Sequence, residues 1–137
     1  MTAAAETRPV RILIADDHDI FAEGLAVTLA AYPDLAVVAR AADGAEAVAL
    51  TSLLEPDVIL MDVSMPSMDG ITATREITER HEQTTVVVVS ALTDAQTAGR
   101  ARSAGAAAYL VKGCPLDDLI AAIHEAVPSS GLGACAA

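Results

Sequence analysis

Polar residues with chemical potential stand at the ends of four apolar runs. Asp16-Asp17 follows Val10 to Ala15, Asp62 follows Val58 to Met61, Ser90 follows Thr85 to Val89, and Lys112 follows Ala107 to Val111. A buried apolar run has no use for a carboxylate at its end unless the acid is capped, solvated or functional. Taken singly, each residue has an ordinary reading. Asp62 and Ser90 could cap strand ends, Asp19 suits the first turn of a helix, and Lys112 could form a surface ion pair worth little. The adjacent Asp16 and Asp17 fit less well, because neighbouring like charges repel, and they point to a cation site. If the four runs converge, Asp16, Asp17 and Asp62 make an oxygen-rich, negative pocket suited to a hard cation such as Mg²⁺. Lys112 adds a compact positive charge and Ser90 a hydroxyl. A carboxylate so placed is equipped to accept a phosphoryl group, since cation and lysine stabilise charge on the equatorial oxygens during transfer.

The elements that must position these groups alternate. Val10 to Ala15 reads as a first strand, and Ile20 to Ala31 as a helix with Phe21, Leu25 and Leu29 on its apolar face and Ile20 and Val27 beside them. Leu35 to Ala39 is a second strand, and Asp43-Gly44 turns the chain into a helix through Ala45, Val48 and Leu53. Pro56 leads to the central strand. Pro66 then bars its continuation, and Asp69-Gly70 supplies a turn and N-cap for a third helix marked by Met68, Ile71 and Ile77 and closing near Arg80 and His81. The β-branched run Thr85 to Val89 is a fourth strand. The helix after Asp94 offers only Ala95, Ala98 and Ala101 as an apolar face, and Gly99 inside it costs about 1 kcal/mol relative to Ala. This helix belongs at the low-stability end of the fold. Gly105 ends it, Ala107 to Val111 is the fifth strand, and Pro115 at a first helical position opens the last helix, striped by Leu116, Leu119, Ile120, Ile123 and Val127. Such alternation predicts an α/β, flavodoxin-like (βα)5 three-layer sandwich, a parallel five-stranded sheet of order 2-1-3-4-5. In that order the loops after strands one and three meet at the topological switch point, and all four polar groups lie on one edge.

The chain has 137 residues, 53% of them hydrophobic, but only three aromatics, Phe21, Tyr32 and Tyr109. That length predicts a single domain, residues 10–127, preceded by a disordered leader (1–9) and followed by a short tail or linker start (128–137). Its core must be built from small aliphatic side chains. No apolar run reaches the roughly 18 residues of a membrane span, and Met1 to Pro9 lacks a signal peptide's apolar stretch, so a cytoplasmic protein is expected, without a membrane partner. A net charge of −11 with no basic cluster argues against direct nucleic-acid binding by this chain. Cys114 and Cys135 lack metal spacing and read as free thiols. His18, His81 and His124 have no mutual metal spacing and read as surface residues, and Tyr109 alone reads as a core aromatic with a wet hydroxyl.

With these residues in view, the chain resembles the response-regulator receiver domains of two-component signalling over roughly Val10 to Val127. The matching residues are Asp16-Asp17, Asp62 within Leu60-Met61-Asp62-Val63-Ser64-Met65-Pro66-Ser67-Met68-Asp69-Gly70, Ser90-Ala91, Tyr109 and Lys112. The resemblance implies that Asp62 accepts phosphate from a sensor histidine kinase, and that Asp16, Asp17, Asp62 and the backbone carbonyl of Ser64 place Mg²⁺. It further implies that Ser90, with Ala91 beside it, bonds the phosphoryl oxygen, that Tyr109 reports the change by its rotamer, and that Lys112 pairs with phosphate. The fourth helix, fifth strand and fifth helix would form the face that changes. Arg11-Ile12-Leu13-Ile14-Ala15-Asp16-Asp17-His18, Ala41-Ala42-Asp43-Gly44-Ala45-Glu46-Ala47 and Tyr109-Leu110-Val111-Lys112-Gly113 resemble the NarL/FixJ subfamily in particular, whose members suggest a homodimer through the first and fifth helices or the fourth-helix face. Gly113 follows the lysine where many receivers have proline, so no cis bond is expected there. Members usually continue into a helix-turn-helix domain for transcription regulation. The ten residues after Val127 are too few for one, which leaves a stand-alone receiver or a regulator cut at its linker.

Other classes fit less well. Phosphatases of the haloacid-dehalogenase type need a second Asp two residues after the nucleophile, and that position is Ser64; the chain is therefore expected to be no enzyme beyond slow self-dephosphorylation. A flavin or nucleotide binder would need a phosphate cradle after the first strand, where Asp16-Asp17-His18-Asp19 repels an anion. A receiver-like interaction module independent of phosphorylation is the remaining alternative.

Overall fold

The structure, a computed structural model, describes residues 8–127; the expected tail and all but the last two residues of the expected leader, together with Cys135, lie outside them. Five strands and five helices alternate: β1 (Val10–Ala15), α1 (Asp19–Ala30), β2 (Leu35–Ala41), α2 (Gly44–Leu54), β3 (Val58–Met61), α3 (Gly70–Arg80), β4 (Thr85–Ser90), α4 (Ala95–Ser103), β5 (Ala108–Val111) and α5 (Leu116–Ala126). All strand pairs are parallel and the order is β2-β1-β3-β4-β5, as expected. Alternation along each strand splits the core into two layers. Leu13, Ala15, Ile59, Met61, Val86 and Val88 face α2, α3 and α4 through Ala47, Ile71, Ile77 and Ala101. Ile12, Ile14, Val58, Leu60, Val87 and Val89 face α1 and α5 through Leu25, Leu29, Leu119 and Ile123.

The middle strand β3 spans four residues, and polar groups fix the chain at both of its ends. The Arg11 N–H donates to the Asp57 carboxylate (2.9 Å), and the Asp62 N–H donates to the Ala15 carbonyl (2.8 Å). The helix starts follow the sequence closely. Asp43, Asp69 and Asp94 each accept the N–H three residues on, from Glu46, Thr72 and Thr97, satisfying donors that a helix start leaves free. The Thr97 hydroxyl and N–H together hold the Asp94 carboxyl below its usual range.

Differences from expectation have local causes. β2 runs two residues further, to Ala41, because a register shift between Ile12 and Leu13 lets β1 keep pairing with Ala39, Arg40 and Ala41. Met68 precedes α3, whose N-cap is Asp69, and packs on the core from the loop; Pro115 is the N-cap of α5 rather than its first helical residue. Ile20 and Val27 lie on the water side of α1, 89% and 73% exposed, because Ala22, Leu25 and Leu29 take the sheet-facing side. In α2 the buried residues are Gly44, Ala47 and Thr51, and Leu53 is exposed; the Thr51 hydroxyl is satisfied by the Ala47 carbonyl (2.7 Å). In α4 only Thr97 and Ala101 are buried, while Ala95 faces solvent.

Candidate functional site

Sheet register brings the polar residues together. Ala15 pairs with Met61, Met61 with Val88, and Ser90 with Val111, so the residues that follow emerge at one edge. The loop after β3 is held in place by close packing at two glycines. A Cβ on Gly70 would overlap the Asp62 carbonyl, and one on Gly44 would overlap the Met68 carbonyl. The N–H groups of these glycines donate to Val63 (2.8 Å) and Met68 (3.0 Å) carbonyls. Ser67 takes a left-handed conformation (φ 67°) to complete the turn.

Asp62 is 3% exposed. Its two oxygens are unlike: Oδ1 accepts the Val63 N–H at 2.9 Å, whereas Oδ2 is buried and accepts no hydrogen bond. The Lys112 ammonium is 3.5 Å from Oδ2, within electrostatic reach but not bonded, and sits closer to Asp16 Oδ2 at 2.8 Å. Burial first, and the Asp16 charge second, push the Asp62 carboxyl above its usual value, while Lys112 and the Val63 N–H oppose the rise. Asp16 is buried and heavily bonded: besides Lys112, its Oδ1 accepts the His18 N–H (2.8 Å). Asp17 is exposed at the mouth of the pocket. One donor atom from each of Asp16, Asp17, His18 and Asp62 lies within 4.8 Å of the others.

The remaining expected residues flank this centre. Ser90 is buried at the end of β4 and its hydroxyl oxygen accepts the Leu92 N–H (3.1 Å); as an acceptor it keeps its own hydrogen free to donate elsewhere. Tyr109 is half-buried and donates its hydroxyl to the Leu92 carbonyl (2.7 Å). Ala91, directly after Ser90, and Ser64, two residues after Asp62, are exposed. No peptide bond among the described residues is cis, including the one before Gly113, whose φ is +93°.

Three residues were missed by sequence reasoning. His18 is exposed, as read, but its Nδ1 lies 3.0 Å from Asp16, 3.4 Å from Asp17 and 3.6 Å from Asp62, so it belongs to the acid cluster and not to a bare surface. Its position directly after Asp16-Asp17 was the available signal. Arg40 donates Nε and Nη2 to the Asp16 carbonyl (3.1 and 2.9 Å) and pairs with Asp19 (2.7 Å), fixing the loop after β1 from the neighbouring strand. Phe21 lies under the Lys112 ammonium, 4.6 Å from ring centre to Nζ, a cation–π contact that holds the lysine over the pocket.

The donor set suits a hard divalent cation: carboxylate oxygens predominate, and one of them is buried without a hydrogen bond. Among the described residues no helix is long and apolar enough to cross a membrane.

Comparison with known proteins gives a consistent result. A family model described as the response regulator receiver domain matches residues 12–124. The chain is 38% identical over 123 residues to the transcriptional regulatory protein DegU of Brevibacillus brevis, covering 90% of this chain and 52% of that protein. It is 43% identical over 126 residues to the transcriptional regulatory protein PdtaR of Mycobacterium tuberculosis, covering 92% of this chain and 60% of that one. The chain thus spans only about half to three-fifths of these relatives' length. Among solved structures, the signal receiver domain of the response regulator NarL from Mycobacterium tuberculosis superposes with a TM-score of 0.82 at 32% identity, covering 86% of this chain and 95% of that one. A chain of the CheX-CheY-BeF3-Mg+2 complex from Borrelia burgdorferi gives 0.79 at 28%, covering 86% of this chain and 89% of that one.

Proposed function

The chain belongs to the response regulator receiver domain family, and on that premise we propose that Asp62 accepts a phosphoryl group from a sensor histidine kinase and makes the domain a phosphorylation-dependent switch. The observation that carries this is the inequality of the Asp62 oxygens. Oδ1 is anchored by Val63, and the unbonded Oδ2 is the nucleophile. As its bond to phosphorus forms, the donor's phosphorus–nitrogen bond breaks and the imidazole nitrogen takes up a proton. Ionised Asp62 is required, so Lys112 serves the reaction before transfer by opposing the upward push on that carboxyl.

Asp16, Asp17, Asp62 and the Ser64 carbonyl would hold Mg²⁺, which when bound supplies positive charge to the phosphoryl oxygens. Lys112 pairs with the phosphoryl group. The Ser90 hydroxyl donates its free hydrogen to a phosphoryl oxygen and draws Ala91 and Leu92 inward. Tyr109, bonded to the Leu92 carbonyl, follows. α4 is held by few buried side chains, so the face formed by α4, β5 and α5 is the one that changes, by a shift between pre-existing states. That face acts on a partner or on a DNA-binding domain of a longer regulator; the relatives are longer proteins named transcriptional regulatory proteins. The chain itself, at net charge −11, does not bind nucleic acid and works in the cytoplasm. An apolar groove between α1 and α5, lined by Ile20, Phe21, Leu25, Val111, Leu116 and Leu119, favours that pair of helices for homodimer contact. Turnover is limited to slow self-dephosphorylation, because Ser64 stands where a general acid would be needed.

Labelling with radioactive acetyl phosphate and Mg²⁺ tests the proposal. One acid-stable, base-labile phosphate per chain is expected, absent from Asp62→Ala and suppressed by EDTA. Undiminished labelling of Asp62→Ala would overturn it.

A further inference from the structure

His18 places an imidazole nitrogen among oxygen donors, and its contacts are mutually incompatible. Nδ1 is 3.0 Å from Asp16 Oδ1, which can only accept a hydrogen bond, and 3.2 Å from the Lys112 ammonium, which can only donate one. A ring nitrogen carries either one hydrogen or one lone pair, so Nδ1 satisfies one neighbour and opposes the other. The ring is not there by accident of exposure: the His18 N–H is bonded to Asp16 Oδ1, which fixes the backbone beside the pocket. Asp62 Oδ2, buried without a hydrogen bond and 3.6 Å from the same nitrogen, is a second group that lacks its partner. A divalent cation between them answers both, taking the Nδ1 lone pair and one lone pair of the free carboxylate oxygen, whose second lone pair stays available for attack on phosphorus. The imidazole is 61% exposed, so water can reach Nε2 and carry the hydrogen bond that a metal-bound histidine ordinarily makes with its other nitrogen.

We propose that His18 Nδ1 is a direct metal ligand in the pocket of Asp16, Asp17 and Asp62, giving this domain a preference for transition-metal dications such as Mn²⁺ and Zn²⁺ over Mg²⁺. Mg²⁺ favours oxygen and its own water, whereas imidazole suits the later divalent metals and strengthens their binding along the first-row series. The inference rests on the reading that this pocket holds a divalent cation, and adds which cation and through which atom.

The test uses the whole chain with Mn²⁺ as probe. Electron spin-echo envelope modulation of bound Mn²⁺ reads directly whether an imidazole ¹⁴N is coordinated, and room-temperature EPR titration gives affinity. Nitrogen modulation is expected in the wild type and in His124→Ala, a control because His124 pairs with Asp34 at 2.7 Å on α5. It should vanish in His18→Ala, with Mn²⁺ affinity lowered about tenfold or more, while Mg²⁺, measured by displacement of Mn²⁺, changes by no more than about twofold, as expected for an oxygen-bound ion. Asp62→Asn should weaken both ions. Bound Mn²⁺ with no nitrogen modulation, or modulation that survives in His18→Ala, overturns the role of His18 and leaves the acidic pocket standing. Failure of the wild type to bind either ion overturns the pocket reading itself.

Discussion

Replacing Lys112 by methionine isolates what its ammonium does for the fold. The ammonium is 2.8 Å from Asp16 and 3.5 Å from Asp62, both carboxylates being almost wholly buried. At an effective dielectric constant of about 20, these separations correspond to attractions of about 6 and about 5 kcal/mol. Much of that is offset by the desolvation of three ions, and removing one member of a buried ionic group nets a loss of about 3–5 kcal/mol, because unpaired charge is left behind. Methionine keeps the length of the side chain and can rest on Phe21, so little packing is lost. Lys112→Met should therefore lower unfolding free energy at pH 7 by about 3 kcal/mol or more, seen in urea as a lower midpoint with unchanged slope. Lys112 opposes the upward push on the Asp62 carboxyl, so without it that group protonates more readily in the folded state, and the deficit should shrink as pH falls. Adding Asp62→Asn should recover part of the loss. A Lys112→Met protein within about 0.5 kcal/mol of wild type at pH 7, or a deficit that grows toward acid, would refute the electrostatic account of this edge.

Asp62→Asn alone should stabilise the protein at neutral pH. Its carboxyl is raised from the usual 3.8, so wild-type stability is lost as pH climbs from that value through the folded one; the advantage of the amide should disappear in denaturation curves below pH 3.8. Gly70→Ala places a methyl against the Asp62 carbonyl and should cost about 1–3 kcal/mol or more, with metal affinity measured by titration falling alongside because the loop carrying Asp62 must move. Gly99→Ala meets nothing within 4 Å and should add about 0.8–1 kcal/mol in urea unfolding; unchanged or lower stability would contradict the reading that Gly99 weakens α4 through its low helix propensity.

The sheet was readable because its signal is redundant. Each β-branched or aliphatic run is bounded by a turn residue, and alternation with helical segments leaves few topologies for a parallel sheet. The convergence of Asp16, Asp62 and Lys112 followed from strand order alone, since each lies directly after a strand. Helix facing was less readable. α2 is apolar nearly all round, so the pattern could not say that Ala47 and Thr51, not Leu53, turn inward. In α1 two apolar stripes compete, Ile20 with Val27 and Ala22 with Leu25 and Leu29, and packing on the sheet chooses the second. Arg40 was invisible for a different reason: its reach to the Asp16 carbonyl depends on a register shift between β1 and β2, and nothing in either strand's own sequence announces a bulge. His18 was judged against other histidines when its partners are acids.

The scarcity of aromatic residues has an optical consequence. With no tryptophan, near-ultraviolet emission comes from two phenols, Tyr32 and Tyr109. Tyr32 packs beside the end of α1 in the layer under the other face of the sheet, whereas the Tyr109 hydroxyl is tethered to the Leu92 carbonyl. Any event that lengthens or breaks that tether alters one of only two emitters. The domain therefore carries an unlabelled fluorescent gauge of its own loop.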